Sequence, residues 1–252
     1  MKYIFCGDRQ ISVNIQNFLI SQGYPPTLLI VVDTKNSTHS TELIENSGLS
    51  SDKVIYSSQL NEESSINIIR QSAPDYIIGI HFPEIISNEI LGIPKIGFLN
   101  LHPAYLPYNK GWHTPTWAII DNTPYGATLH FMSEKLDGGD IIKQARVDVL
   151  QNDTADTLYA KVLKLEEELF VKTFMDLISL NPLRIPQTEK GTSHNKKDIE
   201  TIRELKLNEE YKVSVLIDRL RALTTNNINE AAYFVKDGSK YLIQIRIEKQ
   251  MP

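Results

Sequence analysis

Cysteine is almost absent: the 252 residues hold one, Cys6, so no internal disulfide can form. Its place in the apolar run YIFC reads as a buried strand position rather than a reactive thiol. No apolar stretch is long and uncharged enough to span a bilayer. The first residues enter KYIFC directly, without the basic and hydrophobic regions of a secretory signal, so the expected location is the cytoplasm. Positive charge is also short. Lys and Arg number 26 against 31 Asp and Glu, a formal net charge of −5, the opposite of a nucleic-acid binder's footprint. The chain has no internal repeat and no low-complexity run. Neither a membrane nor a nucleic acid is expected as a partner.

What is present is ordinary for a globular protein: 41% apolar and 23% charged residues, enough to bury a sizeable core. YIFCGD, TLLIVVD, KVIY, DYIIGIHF and IGFLNLH read as short buried strands. Between them, helices are expected near 11–19, 38–47 and 62–73, with a helical turn or two over 84–91. Buried strands alternating with helices predict a mostly parallel α/β sheet covered by helices on both faces. YGATLHFM and DIIKQARVDV alternate polar and apolar residues, as antiparallel strands near a sheet edge do. Thr154 to about Leu180 predicts the longest helix, with Leu158, Val162, Leu165 and Leu169 along one stripe. Beyond Pro186 the polar QTEKGTSHNKKD marks a boundary. A charged helix, VSVLIDRLRAL and a hairpin turning at Asp237-Gly238 follow. The expected organisation is a catalytic domain over 1–190 and a helix-and-hairpin appendage over 191–252.

In an open parallel sheet, ligands bind beyond the carboxyl ends of the strands. FLNLHPAYLP ends such a strand with Asn100 and His102, two residues apart and therefore on one face. An amide can donate to a developing oxyanion, and a neutral imidazole can take a proton near working pH. The same pair also suits a structural strand end with a satisfied histidine. Downstream, TLHFMSEKLDGGDII supplies Asp137 ahead of two glycines that permit a tight bend, with Asp140 as a rival carboxylate. Turn chemistry alone accounts for either. His81, His113 and His130 lie near the same strand ends, but no standard zinc spacing is present, so no metal is expected.

NLHPAYLPYNKG followed by TLHFMSEKLDGGDII closely resembles the core of the formyltransferases that use N10-formyltetrahydrofolate, over roughly residues 1–180. The resemblance implies a formyltransferase-type Rossmann-like fold and a catalytic trio of Asn100, His102 and Asp137. It further implies N10-formyltetrahydrofolate as formyl donor. Its pterin would lie against Phe82, Pro83, Glu84, Ile85 and Ile86, with Met132, Ser133 and Lys135 of the second loop alongside.

Within that family the acceptor differs. Glycinamide ribonucleotide enzymes carry a glycine-rich turn after the first strand, where this chain has only CGDRQIS. Methionyl-tRNA enzymes carry a larger basic C-terminal barrel. GDRQISVNI, YNKGWHTPTWAIID and RLRALT with AAYFVKDGSKY look like the branch that formylates a 4-amino-4,6-dideoxy sugar on a nucleoside diphosphate. A dTDP-linked 4-amino-4,6-dideoxyglucose is favoured, and such sugars go into the O-antigen of lipopolysaccharide. Asp8, Arg9, Lys110, Trp112 and His113 are the expected acceptor contacts, with Arg9 and Lys110 suited to a diphosphate and Trp112 to stacking. Another acceptor, or a folate- or nucleotide-binding protein without chemistry, are the rival readings. The hairpin's strands could pair with a second subunit, which predicts a homodimer.

Overall fold

A computed structural model describes residues 1–250. In chain order its elements are β1 (Tyr3–Gly7), α1 (Gln10–Ser21), β2 (Leu28–Val31), α2 (Ser40–Ser47), β3 (Val54–Tyr56), α3 (Glu63–Ser72) and β4 (Tyr76–Ile80). Then come α4 (Asn88–Leu91), β5 (Gly97–His102), β6 (Lys110–Gly111), α5 (Thr114–Ile120), β7 (Tyr125–Phe131), β8 (Ile141–Val147) and α6 (Ala155–Ile178). The chain continues through β9 (Ser193–His194), α7 (Glu200–Arg203), α8 (Val213–Ala222), β10 (Ala232–Lys236) and β11 (Ser239–Ile243).

Seven strands form one sheet in the order β3-β2-β1-β4-β5-β7-β8. The first five are parallel and β7 joins β5 antiparallel. The order reverses between β1 and β4, which opens the crevice where such sheets bind ligands. Continuous burial of YIFCG, LLIV and YIIGI explains the uninterrupted apolar runs. On one face Ile4, Ile30, Ile77 and Phe98 pack with Ile66 and Ile69 of α3 and Ile90 of α4. The other face carries Tyr3 and Tyr76. Tyr76 donates to the Leu177 carbonyl of α6, and Phe18 of α1 meets Phe174 of α6 edge-on. Each aliphatic side chain so buried contributes about 1.5–3 kcal/mol. Burial raises the thiol of Cys6 well above its ordinary value and leaves it inert, the structural role expected of it.

The chain divides into two compact units. One comprises residues 1–102, 128–144 and 166–188; the other comprises 103–127, 145–165 and 189–252. In the second, Ile199, Leu223 and Ala232 form a small core, and β10 and β11 pair antiparallel across Asp237 and Gly238, both at positive φ. That is the geometry an Asp-Gly hairpin turn requires. Among the described residues no helix is long and apolar enough to cross a membrane.

Four local expectations change. The helical turns over 84–91 shrink to Asn88–Leu91, because Ile86 is pulled into the core beneath α3 and Ser87 is extended. The charged helix after the polar stretch is only Glu200–Arg203, since Glu204 leaves it to bridge Tyr233. Part of the irregular 187–198 segment pairs as β9 with β6. On α6 the buried stripe runs through Glu166, 0% exposed, in place of Leu165.

Candidate active site

Phe98, Asn100 and His102 alternate onto one face of β5, and Phe98 anchors that face in the core. Asn100 is half-buried and His102 buried. The antiparallel register sets Asn100 opposite His130 on β7. His130 Nδ1 lies 2.8 Å from the Phe131 carbonyl oxygen, which can only accept, so Nδ1 carries the proton. In the neutral ring Nε2 is then the acceptor, and Asn100 Nδ2 approaches it at 3.3 Å. This contact directs the amino end of the Asn100 amide and holds its plane.

The loop after β7 returns a carboxylate to these rings. Asp137 sits at φ 46 with a side chain 10% exposed. Its Oδ2 lies 3.5 Å from His102 Nε2 and its Oδ1 lies 3.8 Å from His130 Nε2. A carboxylate so placed stabilises a proton on His102 and fixes the ring's orientation. Asp140 faces elsewhere, 3.9 Å from Arg184 Nη1. The geometry therefore gathers an oriented amide donor, an imidazole and a carboxylate, groups that can serve an acyl transfer to an amine. Among the described residues no three His, Cys, Asp or Glu side chains group to hold a metal ion.

A family model described as formyl transferase matches residues 21–174, which include all three groups. The chain belongs to the formyl transferase family. A second model, an N-formyltransferase dimerization C-terminal domain, matches residues 198–249 of this formyl transferase. The dTDP-4-amino-4,6-dideoxyglucose formyltransferase of Mycobacterium tuberculosis is 34% identical over 162 residues, 64% of this chain and 68% of that protein. A 4-N formyltransferase structure from Francisella tularensis superposes with a TM-score of 0.82 at 27% identity, over 99% of both chains. The fold also matches a Helicobacter canadensis N-formyltransferase solved with folinic acid and dTDP-3-aminofucose. There the TM-score is 0.70 and the identity 21%, over 95% of this chain and 86% of that one.

The remaining expected residues of this formyl transferase fall into two groups. In the first unit, Phe82 and Met132 both pack against the core cluster that contains Ile86. Pro83, Glu84, Ser133 and Lys135 are exposed, and Ile85 is 91% exposed. The backbone of Phe82–Ile86 takes part in no hydrogen bond among the described residues. Its donors and acceptors suit the amide and amine edge of a flat heteroaromatic ring. Asp8, 1% exposed, accepts from the Thr38 and His39 amides and from the Ser40 hydroxyl. Its carboxylate is thus committed to the turn before α2, and Arg9 beside it is exposed at the start of α1.

In the second unit, Asn109, Gly111 and His113 all have positive φ, and β6 pins this stretch to β9. Trp112 is 44% exposed with Lys196 Nζ 4.8 Å above its ring. Lys110 is half-buried, and His113 Nδ1 lies 3.7 Å from Glu230.

Pattern reading did not pair His81 with Glu166. His81 turns out of β4 at φ 49, and its Nε2 lies 3.0 Å from both carboxylate oxygens of Glu166. The two side chains are 8% and 0% exposed. A carboxylate in an otherwise apolar helical stripe was the signal available for it.

Proposed function

We propose that this formyl transferase moves the formyl group of N10-formyltetrahydrofolate onto the 4-amino group of a nucleoside-diphosphate-linked 4-amino-4,6-dideoxy sugar, with the dTDP-linked glucose form favoured. The observation that carries the reading is the convergence of Asn100, His102 and Asp137 within one polar cluster. The folate supplies an activated one-carbon acyl group. Asn100 donates to the formyl oxygen where negative charge develops, and His130 holds its amide in place. His102 takes a proton from the attacking nitrogen as the new C–N bond forms and passes it to N10 as the bond from the formyl carbon to N10 breaks, releasing tetrahydrofolate. Asp137 stabilises the imidazolium so formed and keeps the ring aimed.

The unpaired backbone of Phe82–Ile86 would hold the pterin edge, with Met132, Ser133 and Lys135 beside it. Arg9 and Lys110 are assigned to the diphosphate, Trp112 to stacking, and His113 to the sugar-bearing end. Asp8 acts by shaping the turn that presents Arg9. The acceptor is supported by the mycobacterial relative and by the Francisella 4-N formyltransferase. A panel of dTDP-, UDP- and GDP-linked 4-amino sugars, incubated with N10-formyltetrahydrofolate and read by mass spectrometry, tests it. A formamido product from the dTDP sugar is expected, and no product from any of them overturns the reading.

A second copy of the chain is assigned to the appendage over 191–252, which carries exposed Val213, Val215, Tyr241 and Leu242. The match to a dimerization domain over 198–249 supports this. Sedimentation velocity should find a dimer, and a monomer at assay concentration would remove the second copy from the account.

A further inference from the structure

We propose that Gln187 is a positioning residue for formyl transfer: its side-chain amide clamps the bend that carries Asp137. The inference rests on the assignment of Asp137 to the reaction. Gln187 Nε2 lies 2.8 Å from the Asp137 carbonyl oxygen and 2.8 Å from that of Gly139. Both are pure acceptors, so the two hydrogens of one amide nitrogen bridge the two ends of the bend. The orientation of the amide follows from this without ambiguity. Its other end, Oε1, is buried and has no hydrogen-bond partner among the described residues. An unpaired buried oxygen destabilises the fold.

The bend has an outside restraint. Asp137 has φ 46, a left-handed conformation that aspartate visits more readily than most residues and that contacts from outside the bend can select. The restraint arrives from a segment distant in sequence. Ile185 exchanges both backbone hydrogen bonds with Ile141, at 2.8 and 2.9 Å, just beyond the bend. Two residues on, Gln187 reaches back to the bend. Releasing the clamp lets the Asp137 backbone relax and carries its carboxylate away from His102.

Three substitutions separate this role from a general contribution to stability. Gln187→Glu keeps the shape but has no hydrogen to give, Gln187→Ala removes the group, and Gln187→Lys restores a donor to both carbonyls. The first two should lower kcat by about 10- to 100-fold, as sub-ångström to ångström misplacement does, while the KM of each substrate changes by less than about threefold. Gln187→Lys should recover most of the loss. A readout without turnover accompanies them: the ring ¹⁵N resonances of His102 in Gln187→Ala should move towards those of Asp137→Asn. If the wild-type protein formylates no amino sugar but the resonances move, the clamp stands and the proposed acceptor falls. If the wild type turns over while Gln187→Ala keeps its kcat and unmoved resonances, the clamp is overturned. A lower Tm with unchanged kcat, KM and resonances overturns it as well.

Discussion

Replacing Gly139 by alanine should cripple catalysis while leaving a folded protein. A Cβ at Gly139 would stand 1.9 Å from the Phe131 carbonyl oxygen and 2.8 Å from its carbon. Carbon and carbonyl oxygen approach no closer than about 3.3 Å in ordinary contacts, so the two backbones must part by roughly 1.4 Å. Neither can yield without harm. Phe131 ends the strand that holds His130 against Asn100, and its amide donates to the Asp140 carbonyl at 2.9 Å. Gly139 lies two residues past Asp137. A displacement of this size therefore moves either the carboxylate from His102 or the strand from Asn100. Misplacing a reacting group by about 1 Å costs on the order of 100-fold in rate, and overpacking costs about 1–3 kcal/mol of stability. Steady-state formylation with thermal unfolding on the same samples measures both. Gly238→Ala is the control: φ there is +76 but nothing lies within 4 Å of the added carbon, so kcat should not change. A folded Gly139→Ala variant with kcat within about threefold of wild type would refute the reasoning.

Asn100→Ala should lower kcat by about 10²–10³-fold with little change in either KM, the loss typical of an oxyanion donor. Steady-state rates check it, and a drop under about tenfold would remove the donor role. Glu166→Ala takes the hydrogen-bond partner from the buried His81 and should cost about 1–3 kcal/mol in chemical denaturation, with Glu166→Gln costing less. Glu166→Gln with the stability of wild type would show that the charged contact with His81 contributes nothing. Asp33 has its carboxyl held below the usual value by the Ser58 hydroxyl first, then by the Ser57 hydroxyl and the Ser58 amide. A carboxylate lowered in the folded state contributes stability above its unfolded pKa, and the contribution disappears as pH falls through the folded value. Ser58→Ala should therefore have a lower Tm than wild type at neutral pH, and the gap should close below about pH 4. A gap that persists undiminished in acid would contradict the link.

Much of the fold was legible because its strands are buried on both faces and read as apolar runs, from YIFCG through GFLNLH. Asn100 and His102 were legible because period-two alternation puts them on one side without knowledge of the partner strand. The glycines after Asp137 marked a bend, but only the structure turns Asp137 towards His102 and Asp140 towards Arg184. What stayed hidden depends on contacts between distant segments. His81 and Glu166 are 85 residues apart, and the stripe spacing assigned the inner position to Leu165. Asp8 was expected among the acceptor contacts with Arg9, and the turn at Thr38–Ser40 takes up its oxygens. Composition made residues 187–198 an irregular connection, and no local pattern shows Gln187 reaching the Asp137 bend or Ser193 pairing with Lys110.

The proposed formyl transfer to a nucleotide-linked amino sugar depends on Asn100, His102 and Asp137. Its most direct test compares wild type with His102→Asn, supplied with N10-formyltetrahydrofolate and dTDP-4-amino-4,6-dideoxyglucose, with product followed by mass spectrometry. The expected result is a 4-formamido sugar from the wild type and none from the folded variant. Formylation by the variant at a rate near wild type, or no transfer by the wild type to any nucleotide-linked amino sugar, would contradict it.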